Sequence, residues 1–239
     1  TEIYTLSLHD ALPISENASG NGGNITITAN RTVDILNGGS ILASSWGRGN
    51  GGNVHLHSTD MTIDGQGLMT GLAAQIGPQA VGRGGDILVE LSGSLEMMDG
   101  ARISTNTLGQ GDSGRMTVSA ANILVEGGSA ISSGFVSGVG EDAEGNGGDI
   151  HLHVAENLAL IGTAYIYADT LGMGSAGKVD VRAGGSMEMK YGGGITSSTY
   201  GQGNSGDIYI LADDILIEGS SDKGSGLLSA VAYGASGNG

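Results

Sequence analysis

The sequence predicts an all-β chain wound as a right-handed parallel β-helix, a solenoid of about seven coils with three strands in each. Three observations predict it. A glycine run leads repeatedly into an alternating apolar strand, with complete copies starting at Gly20, Gly49, Gly82, Gly111, Gly145, Gly174 and Gly203 and a partial copy at Gly237. The copies stand 29, 33, 29, 34, 29, 29 and 34 residues apart. Repeats of this period stack on one another instead of closing a globular core. Within each unit the apolar pattern has a period of two, and no stretch has the period of a helix.

The first strand of each unit places apolar residues five and seven positions after the first glycine. They are Ile25/Ile27, Val54/Leu56, Ile87/Val89, Met116/Val118, Ile150/Leu152, Val179/Val181 and Ile208/Ile210. Such alternation makes a half-buried strand. A second alternation follows at Val33/Ile35, Met61/Ile63, Leu95/Met97, Ile123/Val125, Leu158/Leu160, Met187/Met189 and Ile215/Ile217. A turn is expected at Gly38, Gly65, Gly100, Gly127, Gly162, Gly192 or Gly219. The third strand is expected to start at Ile41, Ile103, Ile131, Ile166 or Ile195, with Ala43, Thr105, Ser133, Ala168 and Ser197 two places on. The longer units are expected to hold their extra residues around Met69, Phe135 and Ser221, as loops able to carry recognition. Equivalent strands would stack at ~4.8 Å, giving a rod of roughly 34 Å.

The ends of the chain read differently. Thr1-Glu-Ile-Tyr-Thr-Leu-Ser-Leu-His-Asp-Ala-Leu-Pro-Ile14 resembles the translation of a sequencing-library adapter. Residues 1–15 are therefore set aside as a non-native segment expected to lie outside the repeat. Residues 16–239 are the repeat region, expected to be an internal piece of a longer protein truncated at both ends.

Composition narrows the function. The net charge is −16, with nine Lys and Arg, which argues against nucleic acid and anionic membrane surfaces as partners. No apolar run approaches the ~20 residues of a membrane-spanning helix, so no membrane insertion is expected. Cysteine is absent, which removes disulfides and thiolate metal sites.

No catalytic, cofactor-binding or metal-binding residue is assigned. His55/His57 and His151/His153 are His-x-His pairs on the outward phase of the first strand. They lie three coils apart, ~14 Å, too far to share an ion. Their expected partners across coils are Glu90 for His57 and Asp180 for His151. The Gly-Gly-Asp segments are similar to calcium-binding nonapeptides, but the would-be ligand position also holds Arg115 and Lys178, which cannot ligate calcium. These are read as turn residues. The glycine runs precede strands, whereas a phosphate loop precedes a helix. Acids that would serve polysaccharide cleavage are scattered, although Asp60, Glu126 and Glu218 flank second strands and are candidates for one shared surface. Trp46, Leu108, Leu171 and Tyr200 each precede a motif glycine by three residues. They are expected to cap the core at a corner, with sugar stacking by Trp46 or Tyr200 as the subordinate reading.

Units such as Gly20-Asn-Gly-Gly-Asn-Ile-Thr-Ile27 followed by Val33-Asp-Ile-Leu-Asn-Gly-Gly-Ser-Ile-Leu-Ala-Ser-Ser45 resemble the repeat region of filamentous-haemagglutinin-like exoproteins of the two-partner secretion pathway in Gram-negative bacteria. The resemblance covers residues 20–239. It implies the non-catalytic shaft of a large adhesin, secreted or at the cell surface, that contacts host cells or glycans. It also implies an outer-membrane transporter as partner, through a secretion domain outside these residues. It transfers no site residues. A polysaccharide-processing β-helix enzyme and a calcium-binding solenoid are the alternatives.

Overall fold

The computed structural model describes residues 18–128 and 131–239. Expectations for residues 1–15 lie outside the described residues. The described chain is a β-solenoid of three parallel sheets, seven strands each, with no helix among the described residues. The first sheet holds Ile25–Thr28, Val54–Ser58, Ile87–Leu91, Met116–Ala120, Ile150–Val154, Val179–Ala183 and Ile208–Leu211. The second holds Thr32–Leu36, Asp60–Asp64, Ser94–Met98, Asn122–Gly127, Leu158–Gly162, Ser186–Lys190 and Asp214–Glu218. The third holds Ser40–Leu42, Thr70–Ala73, Ala101–Ser104, Ser133–Val136, Ala164–Tyr167, Gly194–Thr196 and Gly226–Leu228. Coils are numbered 1 to 7 along these rows. Single-residue bridges continue the pairing through the last corner, as in Thr107↔Val139↔Thr170.

The inward columns match the sequence phase in the first two sheets. Val54, Ile87, Met116, Ile150 and Val179 stack in one column, and Leu56, Val89, Val118, Leu152 and Val181 in the next, all buried. Each such side chain, removed from water between the coils above and below, contributes about 1.5–3 kcal/mol.

The third sheet departs from the expectation at coil 4. Phe135, not Ile131, pairs with Ile103 and Ile166 and is fully buried, so the register of this strand lies four residues later than expected. Ser137 accordingly takes the place expected for Ser133. Coil-to-coil offsets show why. From coil 3 to coil 4 they are 28 residues at Leu95↔Ile123, 32 at Ile103↔Phe135 and 34 at Gln110↔Glu144. Four residues enter at the turn before the third strand and two more at the last corner. Phe135 is therefore core, not loop. Coil 7 behaves identically, with offsets of 28, 32 and 34 at Met187↔Ile215, Ile195↔Leu227 and Gln202↔Ser236. Coil 2 shifts from 28 at Val33↔Met61 to 31 at Ser40↔Gly71 and 33 at Arg48↔Val81.

The glycine run closes each coil against a column of small residues. Gly52, Gly85, Gly177 and Gly206 donate their N–H groups to the carbonyls of Ala43, Ala74, Ala168 and Ser197. At Gly145 the backbone has φ +151°, and an added Cβ would collide with the Gly111 carbonyl of the coil below. The polar residues of the run are more than turn formers. Asn50, Arg83, Asn146 and Ser175 each donate a backbone N–H to the side chain of the coil below, Asn21, Asn50, Asp112 and Asn146. Asn53, Asp86, Arg115 and Lys178 do the same toward Asn24, Asn53, Asp86 and Asp149. The Asn and Asp side chains thus tie coil to coil, and Arg115 and Lys178 join these ladders only as donors.

Candidate functional site

Among the described residues, the outer face of the first sheet gathers the four histidines and most of the ion pairs. His55 Nε2 meets Glu90 Oε2 at 2.8 Å, although His57 is the residue paired with Glu90 in register. The side chains cross diagonally, correcting the expected partner. Both groups are near half exposed, so the pair contributes about 1 kcal/mol at most. Asp180 is buried and bound by Arg182 Nε at 3.0 Å, with Lys178 Nζ at 3.6 Å. The Arg182 hydrogen bond is the main cause of its carboxyl titrating below the usual range. His151 is an electrostatic neighbour of Asp180, not its hydrogen-bond partner. Its pKa is lowered, chiefly by burial, against the pull of Asp149 and Asp180. Lys178 also sits 4.1 Å from the Tyr209 ring centroid. Asp180 is thus compensated by Arg182 and Lys178, and Glu90 is hydrogen-bonded to His55. No group of three or more His, Asp or Glu able to hold a metal occurs among the described residues.

Asp60, Glu126 and Glu218 share the outward face of the second sheet but do not converge: Glu126 and Glu218 stand in one column three coils apart, and Asp60 lies at the opposite end of its strand. Asp60 begins a second-sheet strand, where its Oδ1 accepts the Ser94 N–H at 2.8 Å. Glu126 and Glu218 end second-sheet strands in coils 4 and 7.

The corner residues also differ from expectation. Trp46, Leu108, Leu171 and Tyr200 point outward and are 37–49% exposed. The inward place at this corner belongs to the preceding residue, the buried Ser45, Thr107, Thr170 and Thr199. In the longer coils 2 and 4 the corner swings wider and Ala80 and Ala143 turn inward.

Those outward residues border the outer face of the third sheet, where the sequence reading placed nothing. Gly134 of coil 4 separates Arg102 of coil 3 from Tyr165 of coil 5. A Cβ there would strike the Tyr165 ring and carbonyl, so glycine is what lets the ring lie over coil 4. The Arg102 guanidinium lies 5.8 Å from the Tyr165 ring centroid. Tyr165 in turn stacks on Tyr167, with centroids 4.2 Å apart and planes inclined by 19°. One face of Tyr167 is thus backed, and the residue remains 38% exposed. Asp169 follows two residues on, beyond the end of the strand. Its carboxylate accepts from the Thr196 hydroxyl at 2.6 Å and the Ser198 N–H at 2.7 Å. Burial raises its pKa, against both hydrogen bonds. Tyr167 and Tyr200 also titrate high, through burial first and the nearby Asp169 charge second.

These groups line a notch of about 400 Å³ across coils 3 to 6, between Tyr167, Asp169, Leu171 and Tyr200 on one side and Asn106 and Leu108 on the other. The floor is Gly138 and Gly140 of coil 4. Sequence signals for it exist in Tyr165-x-Tyr167-x-Asp169 and the corner residues, but they share a face only once the third-sheet register is known.

No protein-family model, curated protein or solved structure matches this chain.

Proposed function

We propose that the chain is an adhesive shaft: the non-catalytic repeat region of a secreted or cell-surface exoprotein of the filamentous-haemagglutinin type. Its work on this reading is to space and present a contact surface toward cells or glycans. The observation that carries the reading is the unbroken coil-to-coil register of all three sheets, a rod whose outward side chains are free to vary. The two-partner secretion route and its outer-membrane transporter follow from the sequence resemblance, as does the extracellular location.

One observation favours a polysaccharide-processing enzyme instead, namely Asp169, a carboxyl of raised pKa in a cleft. Glycoside hydrolysis uses two carboxyl groups across the scissile bond, and among the described residues Asp169 is the one acid lining the notch. The adhesive reading is therefore preferred.

The test is attachment of beads coated with the full chain to cultured epithelial cells, scored against beads carrying an unrelated β-helix. Saturable attachment above the control is expected. Attachment equal to the control, or release of reducing ends from polysaccharides by the soluble chain, would overturn the proposal.

A further inference from the structure

We propose that the notch between Tyr167, Asp169 and Tyr200 is a binding site for an uncharged glycan chain. This rests on the adhesive reading and assigns its contact point. The Tyr167 ring, backed by Tyr165, is a preorganised platform that loses little freedom when a second ring stacks on it. Asp169 lies on the same edge of the coil as Tyr167. Thr196 and Ser198 fill two of the roughly four acceptor positions of its carboxylate. The remaining positions suit the hydroxyl donors at the rim of a sugar ring stacked on Tyr167.

Donors are present on the opposite wall. The Asn106 carbonyl oxygen accepts the Gly138 N–H at 3.0 Å, which leaves the amide N–H groups of Asn106 for a ligand. Leu108 and Leu171 supply apolar surface for the C–H face of the next ring. An aromatic face, a single acceptor, an amide donor and apolar flanks fit a polyhydroxyl ring with one apolar side. No Lys or Arg is among the lining residues, and the protein carries a net charge of −16. A uronate or sialylated chain would meet the Asp169 carboxylate, while the Arg102 guanidinium is engaged over the Tyr165 ring, so the ligand is neutral. The notch spans three coil spacings, ~14 Å, which accommodates a short oligosaccharide rather than one sugar.

The experiment is titration calorimetry of the full chain with a panel of neutral hexasaccharides, α- and β-linked gluco-, manno- and galacto-oligomers. Oligogalacturonate of equal length and a polyproline peptide serve as comparison probes. At least one neutral hexasaccharide is expected to bind. Tyr167→Ala should weaken it about tenfold, the scale of one lost stacked ring, and Asp169→Asn should weaken it several-fold. Tyr200→Ala, at an exposed corner, gives a second variant should Tyr167→Ala loosen the coil, and it too should weaken binding. Far-ultraviolet circular dichroism checks that each variant keeps the fold. The proposal is overturned if no neutral hexasaccharide binds, if the uronate or the peptide binds tighter, or if folded variants bind as well as the parent. Bead attachment with excess free hexasaccharide separates the two claims. Attachment that persists, and is equal in the variants, removes the notch and leaves the adhesive reading standing. Absence of attachment by the parent removes the adhesive reading itself.

Discussion

Two outward faces of the same coils solve the same problem differently. On the first sheet, Asp180 is buried between Lys178 and Arg182 of its own coil, and Arg182 drives its pKa down. On the third-sheet side, Asp169 is likewise sheltered, but by neutral donors, and burial drives its pKa up. On the first face the sheltered carboxylate is compensated by two cations, Arg182 and Lys178. The second keeps an acceptor unfilled beside exposed tyrosine rings. A solenoid holds the backbone constant from coil to coil, so the difference lies wholly in the outward side chains. A face with residual hydrogen-bonding capacity next to apolar surface is the one equipped to bind.

The comparison can be broken first by attacking what the two faces share. Ile150 is fully buried between Met116 and Val179, whereas the side chain of its neighbour His151 faces outward. Ile150→Asp should cost several kcal/mol by burying an unpaired carboxylate, and His151→Asp far less. Urea denaturation of both variants measures the difference, and limited proteolysis should find the Ile150→Asp break in the middle coils. Gly145→Ala should follow in size, at about 2 kcal/mol or more, because a left-handed backbone and the Gly111 carbonyl both oppose a Cβ. The same denaturation series reads it.

The acids themselves give opposite pH dependences. The folded pKa of Asp180 is depressed, so its stabilisation is present above the unfolded value of about 3.9 and fades as pH falls through the folded value. The folded pKa of Asp169 is raised, so its contribution is full below about 3.9 and is lost as pH rises through the folded value. Denaturation between pH 3 and pH 7 should show Asp169→Asn gaining on the parent as pH rises. Over the same range Asp180→Asn should fall behind it. Matching slopes would mean the two environments are not different in kind. The smallest effect is expected at the coil-to-coil ladder. Asn146→Ala removes the acceptor for the Ser175 N–H at an exposed position, where water substitutes, and should cost about 0.5–1 kcal/mol in thermal unfolding.

The repeat, the three sheets and the four inward columns of the first two sheets, of Ile25, Ile27, Val33 and Ile35 type, were legible because the period-two pattern repeats seven times and each copy corrects the others. Coil 4 of the third sheet was not. Ile131-Ser-Ser133 and Phe135-Val-Ser137 both look like a strand start, and only the register with Ile103 and Ile166 chooses between them. The split of the extra residues over two corners was hidden for the same reason, since repeat length gives their number but not their place. The corner residues were misread because an apolar side chain recurring in phase looks like core. Here the backbone turns sharply enough that Thr107 and Thr170 face in while Leu108 and Leu171 face out. The diagonal from His55 to Glu90 depends on rotamers, which no repeat pattern encodes. The notch was the least legible feature, because it joins residues from four coils.

The most direct test of the claim that one face binds while the other does not is attachment by two double variants. One removes the notch, with Tyr167→Ala and Tyr200→Ala, and the other strips the first face, with His151→Ala and His153→Ala. Bead attachment and hexasaccharide titration should both be lost in the first and kept in the second. Retention in the first together with loss in the second would contradict the account and place the contact surface on the charged sheet.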